Sequence, residues 1–413
     1  MVVYYTKKLD NGLDVILSPN NYLHSASVSV GFRYGLLDDS NAKQGLSHLI
    51  EHMVFGGTDM LSKEILNMFL KASTVYWNGT TSSGATTYEF KLFNLSDSRI
   101  FEVVSEALFN SVFPEENLRK EKNALINEIS GNFGSNAALE YSVLKSYLFR
   151  KSAGALLGGD TRFIKQVQKD VLIDSYSKHY SPDNAVIAVA GNFNKNKIIA
   201  EVTDTFGKIA INSKKPASNI YSGETKYKEI HMKTSNPYKG QSAILFGIKL
   251  PGSEQMYKKR EKDRASIMYL KGLISERLHG RLRDEEGLAY LAHSDIELLE
   301  DTGYLSSYSK VKNQNLEESK KIIFDEIEKI RDGEISDNRL KNSKLRSKQA
   351  LEDLLDSSLN HSNSMLSSML VHKRTPAKIY NEFLDLTVDD IRAAAADYLK
   401  TGGENNSVLI TSN

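Results

Sequence analysis

Gly45-Leu-Ser-His48-Leu-Ile-Glu51-His52-Met-Val-Phe-Gly-Gly57-Thr58 is the stretch on which the reading of fold and chemistry turns. Gln44-Gly45 opens it, Gly56-Gly57 closes it, and the apolar residues between recur at helical spacing. Helix positions four apart differ by about 40° around the axis, so His48 and His52 share one face, one turn apart. Their imidazoles can converge on a single ion. Glu51 lies three residues after His48 on the same side, within reach of a water on that ion without being a ligand. Two histidines leave a tetrahedral site incomplete, so a third protein ligand is required and a fourth position stays open. The chain has no cysteine, so His, Asp or Glu must supply that ligand. Disulfides, thiol nucleophiles and Cys-type zinc fingers are excluded on the same ground.

The segment Leu118-Arg-Lys-Glu121-Lys-Asn-Ala-Leu-Ile-Asn-Glu128-Ile-Ser supplies candidates. Glu121 and Glu128 are seven apart (128 − 121 = 7), two helical turns, and face the same way. The order H-x-x-E-H is that of the inverted zinc peptidases. With Glu128 standing 76 residues beyond His52 (128 − 52 = 76), the chain resembles the pitrilysin–insulysin family of zinc metallopeptidases. The resemblance is to the half-length branch, similar to mitochondrial processing peptidase and its bacterial relatives. It implies that His48, His52 and Glu128 hold one Zn²⁺ per chain, that Glu51 is the general base, and that Glu121 supports the ligands from behind.

The likeness continues. Asn78-Gly-Thr-Thr-Ser82 resembles the family's segment before the strand beside the site, which implies substrate-binding roles for Asn78, Thr80, Thr81 and Ser82. Arg283-Asp-Glu-Glu-Gly-Leu-Ala-Tyr290 resembles its functional Arg/Tyr block, which implies that Tyr290, with Arg283 close by, hydrogen-bonds the developing oxyanion or the substrate carbonyl. Two features are missing, a His-Pro pair near Lys151 to Gly154 and an acid near Gly35-Leu36. The implied activity is zinc-dependent endopeptidase cleavage of peptides or unfolded segments in a closed chamber. The partners are peptide substrates and a second copy in a homodimer, with a heterodimer as the variant arrangement. The competing reading is an inactive accessory subunit or scaffold that keeps the fold.

Outward from the motif, Leu13 to Leu17 and Ala26 to Val30 alternate as strands, and Thr80 to Leu95 reads as one strand. Ser98 to Val112 and Pro114 to Ile129 read as helices. The stretch from Ile211 to Tyr227 is the linker candidate, after which the pattern restarts. A helix opening at Asp170 leads to a strand at Ala185, and another opening at Asp390 leads to one ending at Ile410. The offset (390 − 170 = 220) points to a duplication. The expected class is α+β, two duplicated α/β-roll domains, each an antiparallel-rich sheet with helices packed on one face. The expected division is residues 1–212, a linker at 213–227, and 228–413 carrying the Arg/Tyr motif.

Charges nearly cancel, 53 Lys+Arg against 52 Asp+Glu, which gives no support for a nucleic-acid partner. No window approaches 18 apolar residues, so no membrane span is expected. The N-terminus lacks a signal-peptide pattern, and the expected location is the cytoplasm. His24, His179, His231, His293, His361 and His372 have no ligand spacing and read as surface or packing residues.

Overall fold

Among the described residues (2–93, 95, 99–132, 135–151, 158–211, 223–234 and 240–413), the computed structural model has eleven strands in two sheets. The first holds β1 (Tyr5–Lys8), β2 (Asp14–Pro19), β3 (Ala26–Phe32), β4 (Tyr76–Thr81), β5 (Thr86–Leu92) and β6 (Ala185–Gly191), in the order β1-β2-β6-β3-β5-β4. The second holds β7 (Lys228–Met232), β8 (Gln241–Pro251), β9 (Ala289–Leu298), β10 (Thr302–Lys312) and β11 (Ser407–Ser412), in the order β7-β11-β8-β10-β9. Apart from β1 the two sheets repeat one plan. A parallel pair, β2 with β6 and β7 with β11, is followed by three antiparallel pairings in each. This is the expected duplication, α+β with antiparallel-rich sheets.

The helices of the first half are α1 (Leu46–Val54), α2 (Lys63–Ser73), α3 (Arg99–Phe109), α4 (Glu115–Asn132), α5 (Asn136–Phe149), α6 (Thr161–Gln166), α7 (Lys169–His179) and α8 (Lys195–Thr205). Those of the second are α9 (Ser253–Lys259), α10 (Asp263–His279), α11 (Leu316–Arg331), α12 (Asp337–Leu355), α13 (Ser358–His372), α14 (Pro376–Leu384) and α15 (Val388–Tyr398).

The two structural units are not consecutive halves of the chain. Unit 1 is Met1–Gly131, Gly154–Asn219 and Gln349–Ala377; unit 2 is Asn132–Ala153, Ile220–Lys348 and Lys378–Asn413. A division at 213–227 therefore separates the sheets but not the helices. α5 packs on β8 and β11, and α13 packs on β3 and β6. The reason lies in the strands. β3 is buried along its whole length. Val28 and Val30 enter the main core with Leu49, Met53 and Tyr88, so their face is closed by helices of the same half. The alternate positions, Ser27 and Ser29, are polar and meet α13, where their hydroxyls bond those of Ser358 and Ser362 at 2.9 Å each. Helices thus cluster on one face, and the second face takes one helix from the other half. Residues 213–222 of the expected linker lie outside the described residues.

Thr80 to Leu95 is a hairpin, not one strand. Ser82 Oγ donates to the Ala85 carbonyl and accepts from its N–H, which turns the chain between β4 and β5. β4 ends the sheet, with β5 as its only partner among the described residues.

Candidate metal centre

α1 has nine residues, too few to persist alone. It is held by burial of Leu46, Leu49, Ile50 and Met53 on one side. Gly45, at φ 91°, offers no side-chain cap. The cap comes from Asp39, a loop residue six positions earlier, which accepts from the Gly45 and Ser47 N–H groups at 2.9 and 3.1 Å.

The two histidines are one turn apart as expected, with ring centroids 5.0 Å apart. Glu128, on α4, bridges them: Oε1 is 3.6 Å from His48 Nε2, and Oε2 is 3.6 Å from His52 Nε2. The other ring nitrogens are tied off. His48 Nδ1 is 3.1 Å from the Gly158 carbonyl oxygen, which can only accept, so the proton of the neutral ring sits on Nδ1. His52 Nδ1 donates to Glu121 Oε2 at 3.4 Å, and Lys63 Nζ holds the other Glu121 oxygen at 2.9 Å. Each Nε2 then presents a lone pair toward the same carboxylate. With both rings neutral, these lone pairs and the carboxylate oxygens can share one cation, and the donor set of two imidazoles and one carboxylate suits zinc.

Glu51 approaches the same ring nitrogen as Glu128, with Oε2 3.7 Å from His48 Nε2. One donor atom each of His48, Glu51 and His52 lies within 4.8 Å of the others, so distance alone does not choose between Glu51 and Glu128 as ligand. Packing does. Glu51 is tucked under β4, with Thr81 Oγ1 donating to Oε2 at 3.4 Å. A Cβ on Gly79 would fall 2.4 Å from its Oε1. Glu128 is half-exposed and sits between both imidazoles. Burial pushes the Glu51 carboxyl up to about 7 against the pull of His52 and Thr81. Burial and the neighbouring His52 hold His48 below its ordinary value. Burial opposes the charge on His52, but the Glu121, Glu51 and Glu128 carboxylates outweigh it and raise the ring. The His52 and Lys63 hydrogen bonds keep Glu121 low despite its partial burial.

The segment expected to bind substrate divides by strand parity. Thr81 faces Glu51 with Gly79, whereas Asn78 and Thr80 are exposed on the opposite face of β4. Ser82 is in the hairpin turn. Arg283 and Tyr290 belong to unit 2, and His48, Glu51, His52 and Glu128 to unit 1. The Arg283 guanidinium lies 5.7 Å from the Tyr290 ring centroid, and Tyr290 is 79% exposed. Arg283 lies on a π-helical turn after α10, and Tyr290 on β9. β9 ends the second sheet as β4 ends the first, and α10 packs on it as α1 packs on β4. α10 carries a single histidine, His279 at its last position, so the duplicated place lacks the pair of α1.

No pattern in the sequence singles out Asp39, Lys63, Gly79 or Gly158. The Gly158-Gly159 pair is a turn signal, but nothing local ties it to a helix more than 100 residues away. Gly158 has φ 120°, and a Cβ there would crowd His48 Nδ1 at 3.2 Å and Ile129 Cγ1 at 3.1 Å. The other histidines are packing residues where the structure shows partners: His179 stacks on Tyr34 at 3.7 Å, and His361 Nε2 meets the Tyr4 hydroxyl at 3.2 Å.

Two sequence profiles match the chain. Insulinase (peptidase family M16) covers residues 15–153, and the peptidase M16 inactive domain covers residues 166–346. The uncharacterized zinc protease YmxG of Bacillus subtilis is 26% identical over 404 residues, 96% of this chain and 95% of that one. A probable mitochondrial-processing peptidase subunit beta of Arabidopsis thaliana is 26% identical over 49% of this chain and 38% of its own. Among solved structures, a protease from Helicobacter pylori superposes with a TM-score of 0.87 at 20% identity, with all of both chains covered. That likeness concerns the fold. Among the described residues no helix is long and apolar enough to cross a membrane.

Proposed function

The chain belongs to the M16 peptidase family, in its half-length branch, and on that premise we propose that it is a zinc-dependent endopeptidase acting on peptides or unfolded segments. The observation that carries this is the Glu128 carboxylate set 3.6 Å from both His48 Nε2 and His52 Nε2, with both Nδ1 atoms already engaged. Zinc held by His48, His52 and Glu128 would supply a Lewis acid that polarises a carbonyl and acidifies water. Glu51 takes the proton of the attacking water and returns it to the leaving amine. The free edge of β4 can pair with an extended substrate backbone, which reads main chain more than side chains. Tyr290, with Arg283 beside it, is assigned to the oxyanion, supplied by the second unit of a partner chain in a homodimer that encloses the substrate.

An accessory subunit would be expected to have lost part of the donor set, and His48, Glu51, His52 and Glu128 are all present. The test is Glu51→Gln, which keeps all three proposed ligands and removes the base. Zinc content should stay near wild type while turnover falls about 10²–10⁴-fold. Cleavage at the wild-type rate would remove Glu51 from the mechanism, and a wild-type protein free of zinc and without peptidase activity would favour the accessory reading.

A further inference from the structure

α1 presents both histidines, and its apolar side orients it, but no side chain of its own caps its start. Its N-cap residue Gly45 has no side chain, and a nine-residue helix has little stability of its own. What meets its first turn is Asp39. Oδ2 accepts from the Gly45 N–H at 2.9 Å and from the Ser47 hydroxyl at 3.0 Å. Both oxygens accept from the Ser47 N–H, at 3.1 and 3.2 Å. Oδ1 also accepts from the Tyr34 hydroxyl at 2.9 Å, and that hydroxyl meets Ser175 Oγ of α7 at 2.9 Å. Asp39 is 3% exposed and Tyr34 1%. One buried carboxylate thus joins three groups immediately before His48 to a ring anchored on α7.

Every one of these partners is a donor. An amide in place of the carboxylate would turn an NH₂ toward N–H and O–H groups, so the site is specific for an acid and not for a polar side chain of that size. The carboxylate also complements the positive end of the helix. Ser47 and His48 are adjacent, so any slide or rotation that frees Ser47 from Asp39 moves the His48 ring relative to the Gly158 carbonyl and Glu128. Shifts of about 1 Å at such a place cost function out of proportion to their size.

We infer that Asp39 is a positioning residue for the metal helix: through Gly45 and Ser47 it fixes the start of α1 so that His48 and His52 converge with Glu128. The inference deepens the proposed zinc site and rests on it. It concerns a loop acid outside the H-x-x-E-H motif.

The experiment compares wild type, Asp39→Asn, Asp39→Glu and Ser47→Ala by two readouts. The first needs no metal: amide hydrogen exchange of the metal-free protein, following a peptide that covers residues 45–54 against one that covers β5. Asp39→Asn should speed exchange in 45–54 and leave β5 as it was. Equal acceleration in both, or none, would overturn the inference. The second is metal binding. Zinc affinity should fall about 10–100-fold in Asp39→Asn, with shifted d–d bands of the Co²⁺ form. Asp39→Glu, which keeps the carboxylate, should recover part of the affinity. Wild-type affinity and spectrum in a folded Asp39→Asn would refute the positioning role. If Asp39→Asn does not fold, Ser47→Ala decides, because it keeps the acid and removes one tie. Faster exchange confined to 45–54 supports the role, and wild-type exchange and affinity refute it. Should wild type itself bind no zinc, the functional reading fails, and the exchange data alone still judge Asp39.

Discussion

Gly79 lies against Glu51 so closely that a Cβ on the glycine would stand 2.4 Å from Oε1 and 3.1 Å from Cδ. The strand edge that a substrate would pair with is therefore also the wall that holds the proposed base. β4 passes over α1 at the one position where its side chain must be absent, and Thr81, two residues on, donates to the same carboxylate.

Gly79→Ala should push Glu51 off its place without touching a metal ligand. Turnover is expected to drop about 100-fold, the cost of a displacement near 1 Å, with zinc content unchanged. Steady-state kinetics with metal analysis checks it. A wild-type kcat would show that Glu51 has room to move.

The ligands and their supports should separate by degree. His48→Ala, His52→Ala or Glu128→Ala should each abolish zinc binding. Glu121→Ala and Lys63→Met should weaken it about 10–100-fold, since they act through the His52 ring. Zinc titration of the purified variants distinguishes the groups. Full retention in Glu128→Ala would turn attention to Glu51 or Glu121 as third ligand.

Partner exchange tests the homodimer. Glu51→Gln and Tyr290→Phe chains, each inactive alone, are mixed under conditions that allow exchange. If Tyr290 serves the partner's zinc site, a mixed dimer has one site with both an intact base and an intact tyrosine, and activity returns. Proven exchange without recovery would place Tyr290 in its own chain's site or outside the chemistry.

His361 gives a stability signal outside the candidate metal centre. It is buried under Tyr4 on α13, and desolvation lowers its ring from 6.5 to about 4. The native state keeps the ring neutral, while the unfolded chain takes up a proton below 6.5. Stability contributed this way is present above 6.5 and is lost as pH falls toward about 4, by at most about 3 kcal/mol. His361→Leu should flatten the urea-midpoint profile over that window. An unchanged slope would assign the acid sensitivity to other groups.

Parts of this protein can be read from sequence because their physics is local. His48, Glu51 and His52 converge because 3.6 residues make a helical turn, and Glu121 and Glu128 share a face for the same reason. The duplication shows because helix and strand patterns recur about 220 residues apart. Where the pattern is local but ambiguous, sequence does not separate the elements: β4 and β5 run together in composition, and a serine-backed turn divides them. Contacts between distant segments are beyond the reach of such patterns. Ser27 and Ser29 are polar, and only tertiary packing sets α13 of the other half against them. The Gly158 carbonyl that fixes the His48 tautomer, the Lys63 ammonium behind Glu121, and the Asp39 cap on α1 are each single polar groups brought in from elsewhere in the chain. Periodicity reports which face of an element is apolar. It carries no information on which donor or acceptor meets that element in space, because hydrogen bonds depend on distance and direction that the fold alone sets.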